Sequence, residues 1–241
     1  MWWRIPLEIL TAGLGTLLAA ISLGLMSLTG LSRHSPVVVR SWCRALFFVS
    51  GLRLKVEGRE NIPNGPFLII CNHSSHIDGP AVVIALPVGV YFVIKKELAE
   101  IPVWGFAAKK AGFIAIDRGK SQEAQAALNA AVDSIRAGKH VLIFPEGTRA
   151  HDDSMARFKK GGFHLAIQGE VPILPVAINR SRSLLPRGRS FPCTGLVKVC
   201  IGTPISTVGR GRETVSELLA ETRRALIDLR QRDPDFILPE D

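Results

Sequence analysis

The chain has 241 residues, 47% of them hydrophobic, with 30 Lys and Arg against 21 acids and a formal net charge of +9. That suits one domain with a full-sized core plus an accessory segment. The basic balance seeks a polyanion, either nucleic acid or an anionic membrane surface. Tyr91 is the only tyrosine and no basic-aromatic ribonucleoprotein pattern appears, so nucleic acid is set aside and membrane kept. Cys43, Cys71, Cys193 and Cys200 form no Cys-x-x-Cys pair, and with the six histidines they show no metal-ligand spacing. No metal and no bound cofactor are expected. Cys71 and Cys200 sit in apolar runs and read as buried, reduced thiols, which suits a site facing the cytoplasm.

The first fifty residues are strongly apolar. Residues 9–31 carry no charge, and a helix there would measure about 34 Å, enough to cross the hydrocarbon. Trp2, Trp3 and Arg4 precede it as interfacial groups would; Arg33, Arg40, Arg44 and Arg53 follow it and argue for a cytoplasmic C-terminal side. A cleaved signal peptide is disfavoured because the apolar stretch is too long for a typical h-region. A second apolar helix is expected over 36–51, with Arg40 and Arg44 four apart on one face, an amphipathic interfacial pattern. The pair fits a single span followed by an interfacial helix, or a re-entrant hairpin in one leaflet.

Beyond residue 51, strand-like runs fall at 52–57, 67–71, 88–94, 113–116, 140–144, 173–178 and 196–201. Helical patterns lie at 79–85, 101–111, 121–137, 161–168 and 212–230. Such alternation predicts an α/β fold, a largely parallel sheet flanked by helices. The N-terminal two-helix membrane-associated segment occupies 1–51, the α/β domain 52–233 and a tail 234–241. Ligands of such sheets bind at the carboxyl ends of the strands.

One such end carries Cys71-Asn72-His73-Ser74-Ser75-His76-Ile77-Asp78, straight after the apolar run Phe67-Leu68-Ile69-Ile70. A five-residue step on a helix puts two side chains on different faces, so His73 and Asp78 can meet only across a turn. A carboxylate beside an imidazole fixes its tautomer and stabilises its protonated form, leaving the other nitrogen as a base. The plainer reading makes Asp78 a helix cap with Pro80 in the first turn, and His73 an incidental surface residue. Capping and catalysis can coexist in Asp78. No Gly-x-Ser-x-Gly elbow surrounds Ser74 or Ser75, so a serine hydrolase is disfavoured. His76 is expected to face solvent or line the site entrance.

Three further blocks follow: Gly112-Phe113-Ile114-Ala115-Ile116-Asp117-Arg118, Phe144-Pro145-Glu146-Gly147-Thr148-Arg149, and Val171-Pro172-Ile173-Leu174-Pro175-Val176. Gly147 permits close backbone approach, and Arg149 offers a fork of donors for a phosphate. Lys159-Lys160-Gly161-Gly162 leads into a helix N-terminus, an anion site in principle. Glu146 departs from this anion logic and is expected to orient Arg149 or bond a substrate hydroxyl. The prolines of the last block imply an edge strand or a bulge.

In order and spacing, the four blocks resemble the glycerolipid acyltransferase superfamily, and within it the lysophosphatidic acid acyltransferases, over roughly residues 55 to 205. The resemblance implies catalysis by His73 and Asp78, with the acceptor's own hydroxyl as nucleophile and no acyl-enzyme. It places Lys95 near the acceptor phosphate, with Arg118, Glu146, Gly147, Thr148 and Arg149 as further substrate-binding positions. It implies an acyl-CoA or acyl-carrier-protein co-substrate, lipid partners and a bacterial inner-membrane location. The expected reaction moves a fatty acyl group to the sn-2 hydroxyl of lysophosphatidic acid, giving phosphatidic acid. The rivals are the same chemistry on another lysophospholipid, lyso-ornithine lipid or glycerol-3-phosphate, and a non-catalytic lipid-binding membrane protein.

Overall fold

The computed structural model of the protein describes residues 4–117, 121–150 and 155–234. It opens with two helices, α1 (Ile5–Leu28) and α2 (Ser35–Val49). They fold back along one another. The Arg4 guanidinium donates to the Val49 carbonyl at 2.7 Å at the open end, and Gly15 lies against Trp42 further along. Only Glu8, Ala20 and Leu23 of α1 are buried, so its apolar residues mostly face outward. Leu10, Leu14, Leu18 and Leu25 are each about half exposed. On α2, Cys43 and Phe47 are buried and join the core of the α/β unit.

Arg40 does not sit where its spacing to Arg44 suggested. Arg44 is exposed. The Arg40 guanidinium instead donates to the carbonyls of Val83, Leu86 and Val88 at 3.2, 2.8 and 2.6 Å. The first two close helix α3 (Asp78–Ala85), and Val88 lies in the loop that follows it. The last carbonyls of a helix have no partner within it, and a cation next to them satisfies both hydrogen bonding and dipole.

After α2 come the strands: β1 (Leu52–Glu57), β2 (Leu68–Cys71), β3 (Val90–Lys95), β4 (Ile114–Ile116), β5 (His140–Ile143), β6 (Ile173–Asn179) and β7 (Gly195–Ile201). They form one sheet in the order β1-β7-β6-β2-β5-β3-β4. All neighbours pair in parallel except β6 and β7. The sheet is therefore mostly parallel, with β1 and β7 reversed at one side. Between strands lie α3, α4 (Lys96–Ala99), α5 (Trp104–Lys110), α6 (Ser121–Arg136), α7 (Gly161–Gly169) and α8 (Ser181–Leu184); α9 (Val215–Gln231) closes the chain.

Strand β2 shows how the sheet fills both layers. Successive side chains point to opposite faces. Ile69 and Cys71 pack with α3 and with Phe47 of α2, whereas Leu68 and Ile70 pack against α6, α7 and α9. All four are fully buried, and truncating Ile70 to Ala would cost about 2–5 kcal/mol. Helix α9 closes the second layer with Val215, Leu218, Thr222, Leu226 and Leu229 buried at helical spacing.

Two expectations are corrected here. The prolines of residues 171–176 do not mark an edge, because β6 lies between β7 and β2. Pro175 is tolerated because its missing donor falls on the β7 side, just where that strand ends. Gly202 N–H still donates to the Pro175 carbonyl at 2.9 Å, and only the return bond is lost. Pairing then slips. Between Val176↔Ile201 and Ile173↔Ile205 the partner chain takes four steps against three on β6, so the bulge alternative fits. The helix expected over 101–111 is shorter, α5 alone, and a separate short helix, α4, precedes it where none was expected. Pro102 lies between the two, and Val103, at φ 63°, is the residue before α5 begins.

Candidate active site

The carboxyl ends of the neighbouring strands β2, β5 and β3 converge on a cavity of about 350 Å³. His73 and His76 line it from beyond β2. Gly147, Thr148 and Arg149 line it from beyond β5, and Lys95 from the last residue of β3. The next strand, β4, leads toward Arg118, which lies outside the described residues.

The turn after β2 is built by side chains that replace backbone. The Asn72 amide accepts from Ile178 N–H at 2.8 Å and donates to the Ile178 carbonyl at 3.0 Å. It thus continues the β2–β6 ladder one residue past the strand. This leaves the backbone free to swing His73 over the sheet end. Asp78 then closes the turn. Its Oδ2 accepts from His73 Nδ1 at 2.9 Å, Ser74 N–H at 2.7 Å and Ser75 N–H at 2.8 Å. Asp78 is the first residue of α3, but its carboxylate makes no cap to that helix; it reaches back into the turn. The capping alternative is therefore not what this side chain does.

The imidazole of His73 is held from other sides too. Its ring stacks on Phe144 with centroids 4.0 Å apart and planes 16° off parallel. Asp78 is fully buried, while the His73 side chain keeps 20% exposure. With Nδ1 on Asp78, Nε2 is the nitrogen left for a substrate. Ser74 Oγ and Ser75 Oγ are buried and bond Ser181 Oγ at 3.1 Å and the Leu185 carbonyl at 2.9 Å. They tie a neighbouring loop to the turn and are not set up as nucleophiles. His76 lies exposed at the cavity rim. Desolvation by the walls beside it, then the charges of Arg149 and His73, push its pKa down.

Glu146 takes a different place from the one expected. It is buried, does not line the cavity, and accepts from two backbone groups: His73 N–H at 2.8 Å and Ala156 N–H at 3.1 Å. Burial raises its pKa, and those two N–H groups oppose the rise. Its oxygens are thus engaged by the backbone of the turn after β2 and of the segment around Ala156, away from the cavity lining. Gly147 turns at φ 76°, which brings the backbone of residues 147–149 to the cavity wall. The pKa of Arg149 is lowered, by burial first and then by the charge of Arg187. Lys159 and Lys160 do not join the site; Lys160 Nζ donates to Ser216 Oγ on α9.

Sequence reasoning missed Asn72 and Arg187. Asn72 stood in the motif with no role, although an amide just past a buried strand end is the side chain that can mimic a peptide group. Arg187 lies in a loop after β6 and carries no periodic or motif signal.

A family model described as acyltransferase matches residues 53–179, more than half of the chain. The chain belongs to the acyltransferase family. Among curated relatives, the 1-acyl-sn-glycerol-3-phosphate acyltransferase of Saccharomyces cerevisiae is 33% identical over 80% of this acyltransferase and 64% of the yeast protein. That of Pseudomonas aeruginosa is 32% identical over 81% of this chain and 80% of its own. The crystal structure of PlsC, the 1-acyl-sn-glycerophosphate acyltransferase from Thermotoga maritima, superposes with TM-score 0.79 and 23% identity over 98% of each chain. That likeness shows the fold. This acyltransferase spans a little under two thirds of the length of its yeast relative.

Proposed function

We propose that the protein transfers a fatty acyl group from an acyl thioester to the sn-2 hydroxyl of a lysophosphatidic acid, giving phosphatidic acid. The observation that carries this reading is the His73 Nδ1–Asp78 Oδ2 contact at 2.9 Å, on the wall of a cavity that also holds Lys95 and Arg149. A lysophosphatidic acid offers one hydroxyl for the imidazole and one phosphate for the cations. His73 Nε2 takes the hydroxyl proton as the oxygen attacks the thioester carbonyl. A C–O bond forms, the C–S bond breaks, and the imidazolium returns its proton to the leaving thiolate. Asp78 stabilises the imidazolium between those steps. Such base catalysis is typically worth roughly a hundred to ten-thousandfold. The relatives' names supply the acceptor; either acyl-CoA or acyl-carrier protein meets the donor's chemical requirement.

We also infer that α1 and α2 lie in one leaflet. Helix α1 is long and apolar enough to cross a membrane. Its second half, however, packs on α5: Gly24 abuts Phe106, and Lys110 Nζ donates to Ser27 Oγ at 3.0 Å. Helix α5 connects β3 and β4, so a crossing α1 would drag part of the α/β unit through the bilayer. The leaflet would be the cytoplasmic one of a bacterial inner membrane.

The test uses purified protein in detergent, an acyl thioester and a panel of lysolipids, with the products weighed by mass spectrometry. Phosphatidic acid should dominate. A product only from lysophospholipid diesters would move the reading to another acceptor, and no product from any would favour a lipid-binding role.

A further inference from the structure

The junction of α4 and α5 carries Leu98, Ile101, Val103 and Phe106, each 41–49% exposed. The loop between the two helices is tightly built. Trp104 N–H donates to the Pro102 carbonyl at 2.7 Å, closing a three-residue turn centred on Val103 at φ 63° and ψ −57°. Gly105 N–H donates to the Ile101 carbonyl at 2.7 Å, and Gly105 lies so close to the Ala99 carbonyl that a Cβ there would clash. Trp104 turns inward, to a small apolar space that it shares with Ala19 of α1 and Trp42 of α2. Ile101 and Val103 stay outside. The turn has the strained hand of its kind, which a β-branched residue tolerates least and glycine takes freely. Val103 thus combines backbone strain with apolar surface facing water, and an apolar surrounding removes the second.

Single exposed apolar residues need no explanation, but contiguous ones do. Val103 and Phe106 share a groove with Leu25 and Leu28 of α1, whose outward face is the one assigned to the leaflet. In the other direction, Ile101 N–H donates to the Leu98 carbonyl at 3.2 Å, and Leu98 lines the active-site cavity. One apolar edge therefore runs from the membrane helix, along the α4–α5 loop, to the cavity. Lys109 and Lys110, exposed in the last turn of α5 beside α1, supply positive charge for anionic headgroups. Glu97 and Glu100 are exposed on the α4 side. Val208 is more exposed still, at 89%, but it follows Ile205, which pairs with the first residue of β6. It lies at the other end of the sheet from the cavity.

We propose that the α4–α5 loop is a second membrane-inserted element, carried by the α/β unit itself, with Ile101 and Val103 among the acyl chains of the leaflet that holds α1. The acceptor's acyl chain passes from the bilayer to the cavity along this edge, over Leu98. This rests on the readings that α1 lies in a leaflet and that the acceptor is a lysolipid.

The experiment attaches an environment-sensitive fluorophore to full-length Val103→Cys and, separately, to Val208→Cys. Both also carry Cys193→Ser, since Cys43, Cys71 and Cys200 are buried. On vesicles of zwitterionic and anionic lipid, the label at 103 should shift to shorter wavelength and lose most of its emission to lipids brominated on their acyl chains. The label at 208 should keep its emission. Turnover is then measured for Ile101→Ser/Val103→Gly on long-chain lysophosphatidic acid in vesicles and on a short-chain analogue in solution. Taking two half-exposed apolar side chains out of lipid should raise KM for the vesicle-borne acceptor roughly tenfold, with KM and kcat for the soluble one within about twofold. Val103→Gly alone relieves the strained turn and should not lower the melting temperature, which separates loss of contact from loss of fold. An unquenched label at 103 would overturn the proposal, as would one that shifts only with rising protein concentration, the mark of a contact between copies. Quenching together with equal KM changes on both acceptors, or with none, would overturn the route along the edge. Quenching in a protein that acylates no lysolipid supports the inserted loop and removes the reading of function.

Discussion

Glu146 Oε1 accepts the backbone N–H of His73 at 2.8 Å, so the third sequence block positions the first through the main chain. Its other oxygen takes Ala156 N–H, and the Arg223 guanidinium donates to the Met155 and Ala156 carbonyls, so α9 braces the same segment from behind. Glu146 is a positioning residue for His73. Glu146→Ala should lower kcat and leave KM for both substrates little changed. It should also cost about 1–3 kcal/mol of stability, because two partly buried N–H groups lose their acceptor. A large rise in acceptor KM with kcat intact would return Glu146 to the substrate-binding role.

The raised pKa of Glu146 gives a pH signature. A carboxyl whose folded pKa exceeds its unfolded one contributes most to stability below the ordinary glutamate range, and loses that contribution as pH rises through the folded value. Glu146→Gln removes the titration and imposes a cost that does not vary with pH. The melting temperature of the Gln variant relative to wild type should therefore improve as pH rises from below the ordinary glutamate range to above the raised pKa. A difference that is flat, or that worsens with rising pH, would contradict the burial argument.

Asp78→Asn should keep the three contacts to Oδ2 but not the charge that stabilises an imidazolium. It is expected to slow turnover less than His73→Ala. Asp78→Ala removes the acceptor for two buried N–H groups as well, so a lower melting temperature should accompany its loss of activity, by about 1–3 kcal/mol or more. Circular dichroism melts beside the kinetics separate the two effects.

Arg149→Lys is expected to raise the acceptor KM strongly and the thioester KM much less, because a bidentate guanidinium contact is not replaced by a point charge. Equal weakening of both substrates would mean that Arg149 shapes the whole cavity.

The membrane assignment is best tested on the outward face of α1. Deleting residues 1–50 would also strip Cys43 and Phe47 from the core and Arg40 from the end of α3. Glu in place of Leu10, Leu14 and Leu18, each about half exposed, leaves those contacts alone. The triple variant should shift from the membrane fraction to the soluble one while still acylating a short-chain, water-soluble acceptor. Continued sedimentation with membranes would place the anchor elsewhere.

Much of this architecture was legible because it rests on local signals. All seven strands fall in strand-like runs, most of them flanked by Gly or Pro, and the five-residue step meant that His73 and Asp78 could meet only across a turn. What sequence hid depends on distant partners. Arg40 looked interfacial beside Arg44, until the unpaired carbonyls of α3 claimed it. Glu146 stood beside Arg149 in sequence, yet its oxygens meet backbone N–H groups of two other segments. Pro175 suggested an edge, because nothing local says that β7 stops where the missing donor points. Arg187 is set by a loop whose anchors are Ser74 and Ser75, more than a hundred residues earlier.

The most direct test of the account is turnover of lysophosphatidic acid to phosphatidic acid by purified wild type and His73→Ala, followed by mass spectrometry under identical detergent and thioester. The account predicts phosphatidic acid from the wild type and a rate lower by roughly a hundred to ten-thousandfold in the variant, with the fold unchanged. Near-normal turnover by His73→Ala would contradict it.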